Sequence, residues 1–274
     1  MTLSAPPEQT LREPLDRPGD PPSRRIARTA GVLFIITFVT SIPALFLYGA
    51  VLDHTGYITG AGNDTRVLVG AFLELLLIVA NIGTAVVLFP VLKRQSESIA
   101  LGYVTARVIE SAFIAVGILS LLAVVTLRQD LAGAGTDTAT LETVGRSLVA
   151  VKDWTFLLGP GFVVGIGNGL MLGWLMYRSG LVPRRMAMFG LVGGPLICLS
   201  GIAVLFGVID EGGAGQFVAT IPEFIWELSL GIYLTVKGFK PSPILYDDGL
   251  HAGVDGPLVP GLAAPVAAPV VTAP

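Results

Sequence analysis

The sequence predicts an all-α polytopic membrane protein: a six-transmembrane-helix bundle with a short extracytoplasmic amphipathic helix. Three observations carry that reading. Of 274 residues, 53% are hydrophobic and only 14% charged, against about a quarter charged in a soluble domain. Mean hydropathy is +0.75. The apolar residues fall in long unbroken runs, each long enough to cross ~30 Å of hydrocarbon at 1.5 Å per residue. Outer-membrane strands would instead need short alternating segments.

Residues 1–23 hold Pro6, Pro7, Pro14, Pro18, Pro21 and Pro22 among charges. Such a segment buries too little apolar area to order itself. A transmembrane domain follows over residues 24–240. Its first span, Ala30–Val51, starts too late and runs too long for a secretory signal, so it reads as a retained helix. The remaining spans are Val67–Leu92, Leu101–Leu127, Thr155–Tyr177, Met186–Val208 and Phe217–Val236. In the long connection before the fourth, Leu141, Val144, Leu148 and Val151 recur at helical spacing. That pattern predicts a short amphipathic helix, lying on the membrane surface or packed on the bundle as a linker. Trp154 then falls in the interfacial aromatic belt. Residues 241–274 end in "GPLVPGLAAPVAAPVVTAP", a low-complexity tail predicted to be disordered.

Basic residues fix an expected orientation. Arg24, Arg25 and Arg28 precede the first span, and Lys93 and Arg94 follow the second. Arg178, Arg184 and Arg185 separate the fourth and fifth, and Lys237 and Lys240 follow the sixth. The alternate connections carry Arg66, then Arg128, Arg146 and Lys152, then only Asp210 and Glu211. The positive-inside rule then puts both termini in the cytoplasm. The excess of arginine over lysine, with abundant Ala, Val and Gly, points to a bacterium and hence its plasma membrane. The Asn63-Asp64-Thr65 sequon has no role there.

The fourth span reads "GPGFVVGIGNGLMLGW". Gly161, Gly165, Gly169 and Gly173 recur every four residues, a ridge that lets another backbone approach closely. A phosphate-binding glycine loop would need a preceding strand, which this segment lacks. Pro160 is expected near the helix start, where proline is tolerated. Asn168 is expected to hydrogen-bond a neighbouring helix.

Five ionisable groups lie inside the spans: Glu74, Arg107, Glu110, Glu223 and Glu227. Facing lipid, they would together cost roughly 12–17 kcal/mol. They must therefore face the interior or water. Thr220, Glu223 and Glu227 share one helical stripe. Glu74, Asn81 and Thr84 share another, and Tyr103, Arg107, Glu110 and Ser111 a third. A polar centre built by spans two, three and six and opening outward is expected. Arg107, Glu110 and Glu227 should lie near mid-membrane, with Glu74 and Glu223 nearer the outer face. Four carboxylates against one guanidinium cannot all be ionised in a low dielectric. The centre then holds protons, or binds a small ligand or ion carrying positive charge. The competing reading makes Arg107 and its partners a purely structural ion pair in a membrane scaffold. A third reading, an intramembrane enzyme using Glu110 or Glu227 as acid or base, has less behind it.

Other classes find no support. No basic stripe suits nucleic acid, and no His-Cys-Asp set has metal-ligand spacing. No nucleophile-base-acid set forms around Cys198 or any serine, and there is no ATP-binding motif. His54 and His251 are expected to be solvated residues of a loop and the tail. The sequence thus predicts no enzyme and no cofactor. Its expected partners are the lipid bilayer and a possible small-molecule or ion ligand.

The segments "RTAGVLFIITFV", "ARVIESAF", "GLMLGWLMYRSGLVPRRMAMFGLVGG" and "PEFIWELSLGIYLTVKGF" together resemble the bacterial membrane-protein family known as domain of unknown function 4386. The resemblance covers roughly residues 24–240. It implies an integral membrane protein of bacteria with no assigned activity and lends no catalytic residues. It also implies that Arg107, Glu110, Glu223 and Glu227 belong to the matching segments.

Overall fold

Six helical stretches long and apolar enough to cross a membrane make up the computed structural model of the chain. It describes residues 22–52, 57–60, 62–131 and 137–245. The elements are α1 (Pro22–Leu52), α2 (Asp64–Leu92), α3 (Glu97–Leu131), α4 (Thr138–Leu158), α5 (Gly173–Ser179), α6 (Arg184–Leu205) and α7 (Ala214–Val236). Two π-helical segments, Gly159–Val163 and Gly165–Leu172, join α4 to α5, so the fourth span runs unbroken over Thr138–Ser179. Among the described residues there is no strand. The chain is an all-α, six-span membrane bundle.

The helices form a closed ring. Consecutive spans pack on one another, and α7 returns to α1. That closure depends on small residues: a Cβ on Gly31 would lie 2.5 Å from Thr235 N, and Gly231 abuts Phe34. Two apolar clusters seal the two ends. One, at the basic end, gathers Ala27, Leu92, Ala100, Leu181 and Leu234. The other gathers Val51, Tyr57, Val67, Val125 and Leu141.

The basic junctions share one end of the bundle. Lys240 N donates to Leu181 O at 2.8 Å, and Arg94 reaches Ile244 O at 3.2 Å. At the other end Asp64 pairs with Arg128 and accepts from the Tyr57 hydroxyl at 2.7 Å. Burial and that carboxylate raise the Tyr57 phenol above its ordinary range. Asn63, the sequon residue, caps α2 with its side chain.

Helix bounds differ from the apolar runs in instructive ways. α1 begins at Pro22, eight residues before the apolar run, with proline at the first helical position where its missing N–H is tolerated. The ordered chain also passes residue 240, into a short turn over Pro243–Leu245. Ser242 Oγ there donates to Ser179 O at 2.5 Å. The rest of the expected disordered leader and tail, and both histidines, lie outside the described residues.

The amphipathic stretch is helical, capped by Asp137, whose carboxylate accepts from Thr140 N at 3.1 Å. It is not a separate surface element, because it continues straight into the fourth span. Its inward face also differs from the expected one. Leu141, Gly145 and Lys152 are buried, whereas Val144 and Val151 face outward. Pro160 therefore sits deep inside a continuous helix rather than near its start. Proline removes one i→i−4 bond and crowds the preceding turn. The helix answers by widening into π turns from Gly159 onward.

That widening explains why a strict four-residue glycine repeat works. An α-helix has 3.6 residues per turn, so a four-residue spacing drifts around it. The i→i+5 winding carries more residues per turn, which keeps the repeat on one face. Gly165 and Gly169 consequently press against α6: added Cβ atoms would fall 2.7 Å from Gly194 O and 2.4 Å from Gly194 Cα. Gly173 lies opposite Gly190 and Leu191, and Gly161 opposite Gly201.

Gly194 and Gly201 make a controlled comparison. A Cβ on Gly194 would meet Gly165 O at 2.5 Å, whereas one on Gly201 meets nothing nearer than 3.5 Å. Gly194→Ala should destabilise the protein by about 1–3 kcal/mol. Gly201→Ala should be neutral or stabilising, since alanine is the better helix former. Thermal melts of both variants in one detergent decide this; equal behaviour would contradict the packing account.

Candidate functional site

A cavity of about 340 Å³ lies inside the ring between the two apolar clusters. All five sequence-predicted ionisable residues line it: Glu74, Arg107, Glu110, Glu223 and Glu227. They do not form one cluster, however. They divide into three local arrangements.

The first joins α2 and α3. Arg107, only 2% exposed, donates from one guanidinium nitrogen to Glu110 Oε2 at 2.7 Å. Its other terminal nitrogen donates to Asn81 Oδ1 at 2.6 Å, and Asn81 Nδ2 donates to Glu110 Oε1 at 3.1 Å. Asn81 thus closes a hydrogen-bonded ring of three side chains, which the α2 and α3 stripes place at one level. Thr84 and Tyr103 continue the contact, their hydroxyls 3.4 Å apart. Arg107 Nε and Ser111 Oγ are buried without a hydrogen-bond partner.

The second arrangement was only half visible in the sequence. Glu74 takes both oxygens to Lys152 Nζ, at 2.6 and 2.8 Å, and accepts from the Tyr48 hydroxyl at 3.0 Å. Lys152 Nζ also lies 4.9 Å from the centre of the Tyr48 ring. Glu74 is therefore not a neighbour of Arg107 but the anchor of a separate network linking α1, α2 and α4. Lys152 precedes the apolar run of the fourth span and so falls, by sequence, in the connection before it. Its signal was the stripe Leu141, Gly145, Leu148, Lys152, which a search for large apolar side chains skips because of Gly145. Gly145 packs against Ile58, and that contact turns Lys152 inward.

The third lies on α7, facing the first across the cavity. Glu227 accepts a hydrogen bond from Asn168 Nδ2, so Asn168 does reach a neighbouring helix. The Asn168 carbonyl in turn accepts from Trp226 Nε1 at 3.0 Å, which fixes the π-helical segment against α7. Arg107 and Glu110 lie within electrostatic reach of Glu227. Glu223, one turn earlier, is 3% exposed, and neither carboxylate oxygen has a hydrogen-bond partner. Glycines make room for it: added Cβ atoms on Gly169 and Gly193 would fall 2.7 and 2.8 Å from Glu223 Oε2. The glycine ridge thus serves a carboxylate as well as a helix contact.

The polar centre draws on more helices than spans two, three and six, because the first and fourth spans supply Tyr48, Lys152 and Asn168. The interior charge balance shifts as well. Four carboxylates meet two cations, Arg107 and Lys152, and both cations are already engaged. The two carboxyl groups without an ion-pair partner are Glu223 and Glu227. Beyond the spans, burial holds Glu211 above the ordinary carboxylate range, and the nearby Asp153 carboxylate adds to it.

Fold and interior together define a multi-pass integral membrane protein with a charged central cavity. The chain belongs to the family described as Domain of unknown function (DUF4386), whose profile matches residues 29–238. Searches of curated proteins and of solved structures each returned no match.

The Lys152–Glu74 pair predicts a sharp mutational asymmetry. Lys152→Met strands a buried carboxylate and should cost about 3 kcal/mol, the lower end for such breaks because the cavity can admit water. The double variant Lys152→Met/Glu74→Leu should recover most of that loss. Thermal or denaturant unfolding of the single and double variants tests it, and strictly additive effects would show that the pair is not coupled.

Proposed function

We propose that this protein binds a small positively charged ligand in its central cavity, between Glu223 and Glu227. One observation carries the reading: Glu223 is buried in the cavity wall with both oxygens unpartnered. An uncompensated buried carboxylate is costly, and a cation or a proton removes the cost. Intramembrane ionisable residues of this kind mark ligand or ion pathways. The Arg107–Glu110–Asn81 and Lys152–Glu74–Tyr48 networks pair their charges internally, so they act as walls that hold the cavity open. The scaffold reading thus applies to those residues, and the binding reading to α7. Exchange of ligand for proton at Glu223 would let such a site drive transport. The protein works in this reading by binding rather than catalysis, in a bacterial plasma membrane with both termini cytoplasmic. The grouping of basic junctions at one end supports that orientation.

Melting curves of the full chain with sodium, potassium, ammonium and methylammonium test the proposal. At least one should raise the Tm of the wild type, by up to ~2.7 kcal/mol of stabilisation at a hundredfold excess over Kd. None should shift Glu223→Gln. Without ligand, Glu223→Gln should be no less stable than wild type, whereas Glu110→Gln, which breaks a buried ion pair, should be clearly destabilised. A cation effect that survives in Glu223→Gln would place the site elsewhere.

A further inference from the structure

The lining of the cavity says more about the ligand than its charge, provided the cation-binding reading holds. At one end the cavity is closed by the apolar cluster around Trp226, Leu230 and Tyr103. At the other, the Tyr48–Glu74–Lys152 network is itself buried. The strongly exposed side chains in the lining are four apolar ones: Ile42, Leu45, Phe156 and Phe224, between 41% and 50% exposed. Their depth is readable from the helices. Ile42 and Leu45 lie ~21 and ~26 Å along α1 from Arg28, and Phe224 lies ~18 Å from the basic end of α7, at 1.5 Å per residue. Ile42, Leu45 and Phe224 fall within a hydrocarbon layer of ~30 Å, and Phe156, close to the interfacial Trp154, lies at its outer edge. The mouth therefore opens sideways, toward acyl chains, past the edge-on pair Phe38 and Phe224, whose ring centres are 5.2 Å apart.

We infer that the ligand is an amphiphilic amine that enters from the bilayer, its ammonium group between Glu223 and Glu227 and its apolar part against Ile42, Leu45, Phe156 and Phe224. A strongly hydrated inorganic ion would have to cross that apolar mouth and shed its water there. A protonated amine with a hydrocarbon part already dissolves in the layer onto which the mouth opens. It also offers several N–H donors, enough for the two oxygens of Glu223 that lack one and for Glu227. Pocket sites of this kind combine apolar walls with a few placed polar groups.

The test uses the full chain in lipid nanodiscs titrated with methyl-, butyl- and octylammonium, with octanol as a neutral control. At each chain length the difference between wild type and Glu223→Gln is read, which cancels partition into lipid. Binding should tighten about fourfold per methylene between methyl- and butylammonium, and octanol should show no difference. Ile42→Trp, which fills the place of the alkyl chain at the mouth, should weaken butylammonium at least tenfold and methylammonium far less, and should slow butylammonium association. If Glu223→Gln does not fold, wild type against Ile42→Trp still reads the chain-length effect. Equal affinity for all three amines would overturn this inference yet leave cation binding standing, with a compact ligand arriving from water. An unaltered butylammonium affinity in Ile42→Trp would overturn the placement of the chain, and an unaltered association rate would overturn the lateral route. No difference between wild type and Glu223→Gln with any amine or inorganic cation would remove the binding reading itself.

Discussion

Hydrocarbon offers no hydrogen bonds and almost no screening, so a charge inside a membrane protein must find its partner inside the protein. Much of this bundle answers to that constraint. Each span that carries an ionisable residue turns it inward, and the ring has to leave a space where those side chains meet. The result is an interior of fixed pairs rather than a continuous apolar core. Where the pairing is complete, as at Arg107 and Lys152, the networks tie helices together across the ring. Where it is incomplete, at Glu223, the protein holds chemistry that its own atoms do not finish.

The packing of small residues serves the same end. Span four approaches α6 at glycine on both sides, Gly165 and Gly169 against Gly194. The cavity is lined from the other helices too, by residues of α1, α2, α3, α4 and α7. Pro160 lines that cavity and marks the start of the π turns. π segments inside α-helices are frequent at functional sites. Here the segment carries Asn168, the side chain that holds Glu227.

Six spans and the inward stripes of their charged residues were legible in the sequence, though the starts of the first and fourth were not, because hydrocarbon imposes length and composition directly on the chain. The residues facing the interior were legible for the same reason: charge inside an apolar run has few places to go. Which of them touch was not. Helical periodicity gives the face of a residue but not the rotation and height of the neighbouring helix, so Glu74 was grouped with Arg107 when Lys152 is its partner. Lys152 itself lay hidden because the fourth span extends far beyond its apolar part, and glycine carries the inward stripe. The π-helical turns were invisible, since a four-residue glycine repeat is compatible with either winding and only the continuity of the helix through Pro160 decides between them.

Closure of the ring by α1 and α7, the first and last spans, has a consequence in time. The Gly31–Gly231 seam joins segments about two hundred residues apart in a chain made from one end. Until α7 has been made, α1 lacks the partner it meets at Gly31, and neither Glu223 nor Glu227 is present. A long-range contact of that kind is slow to form, because the loop entropy must be lost before any packing is gained. The interior therefore comes into existence in one late event, when α7 docks and brings the acidic wall with it.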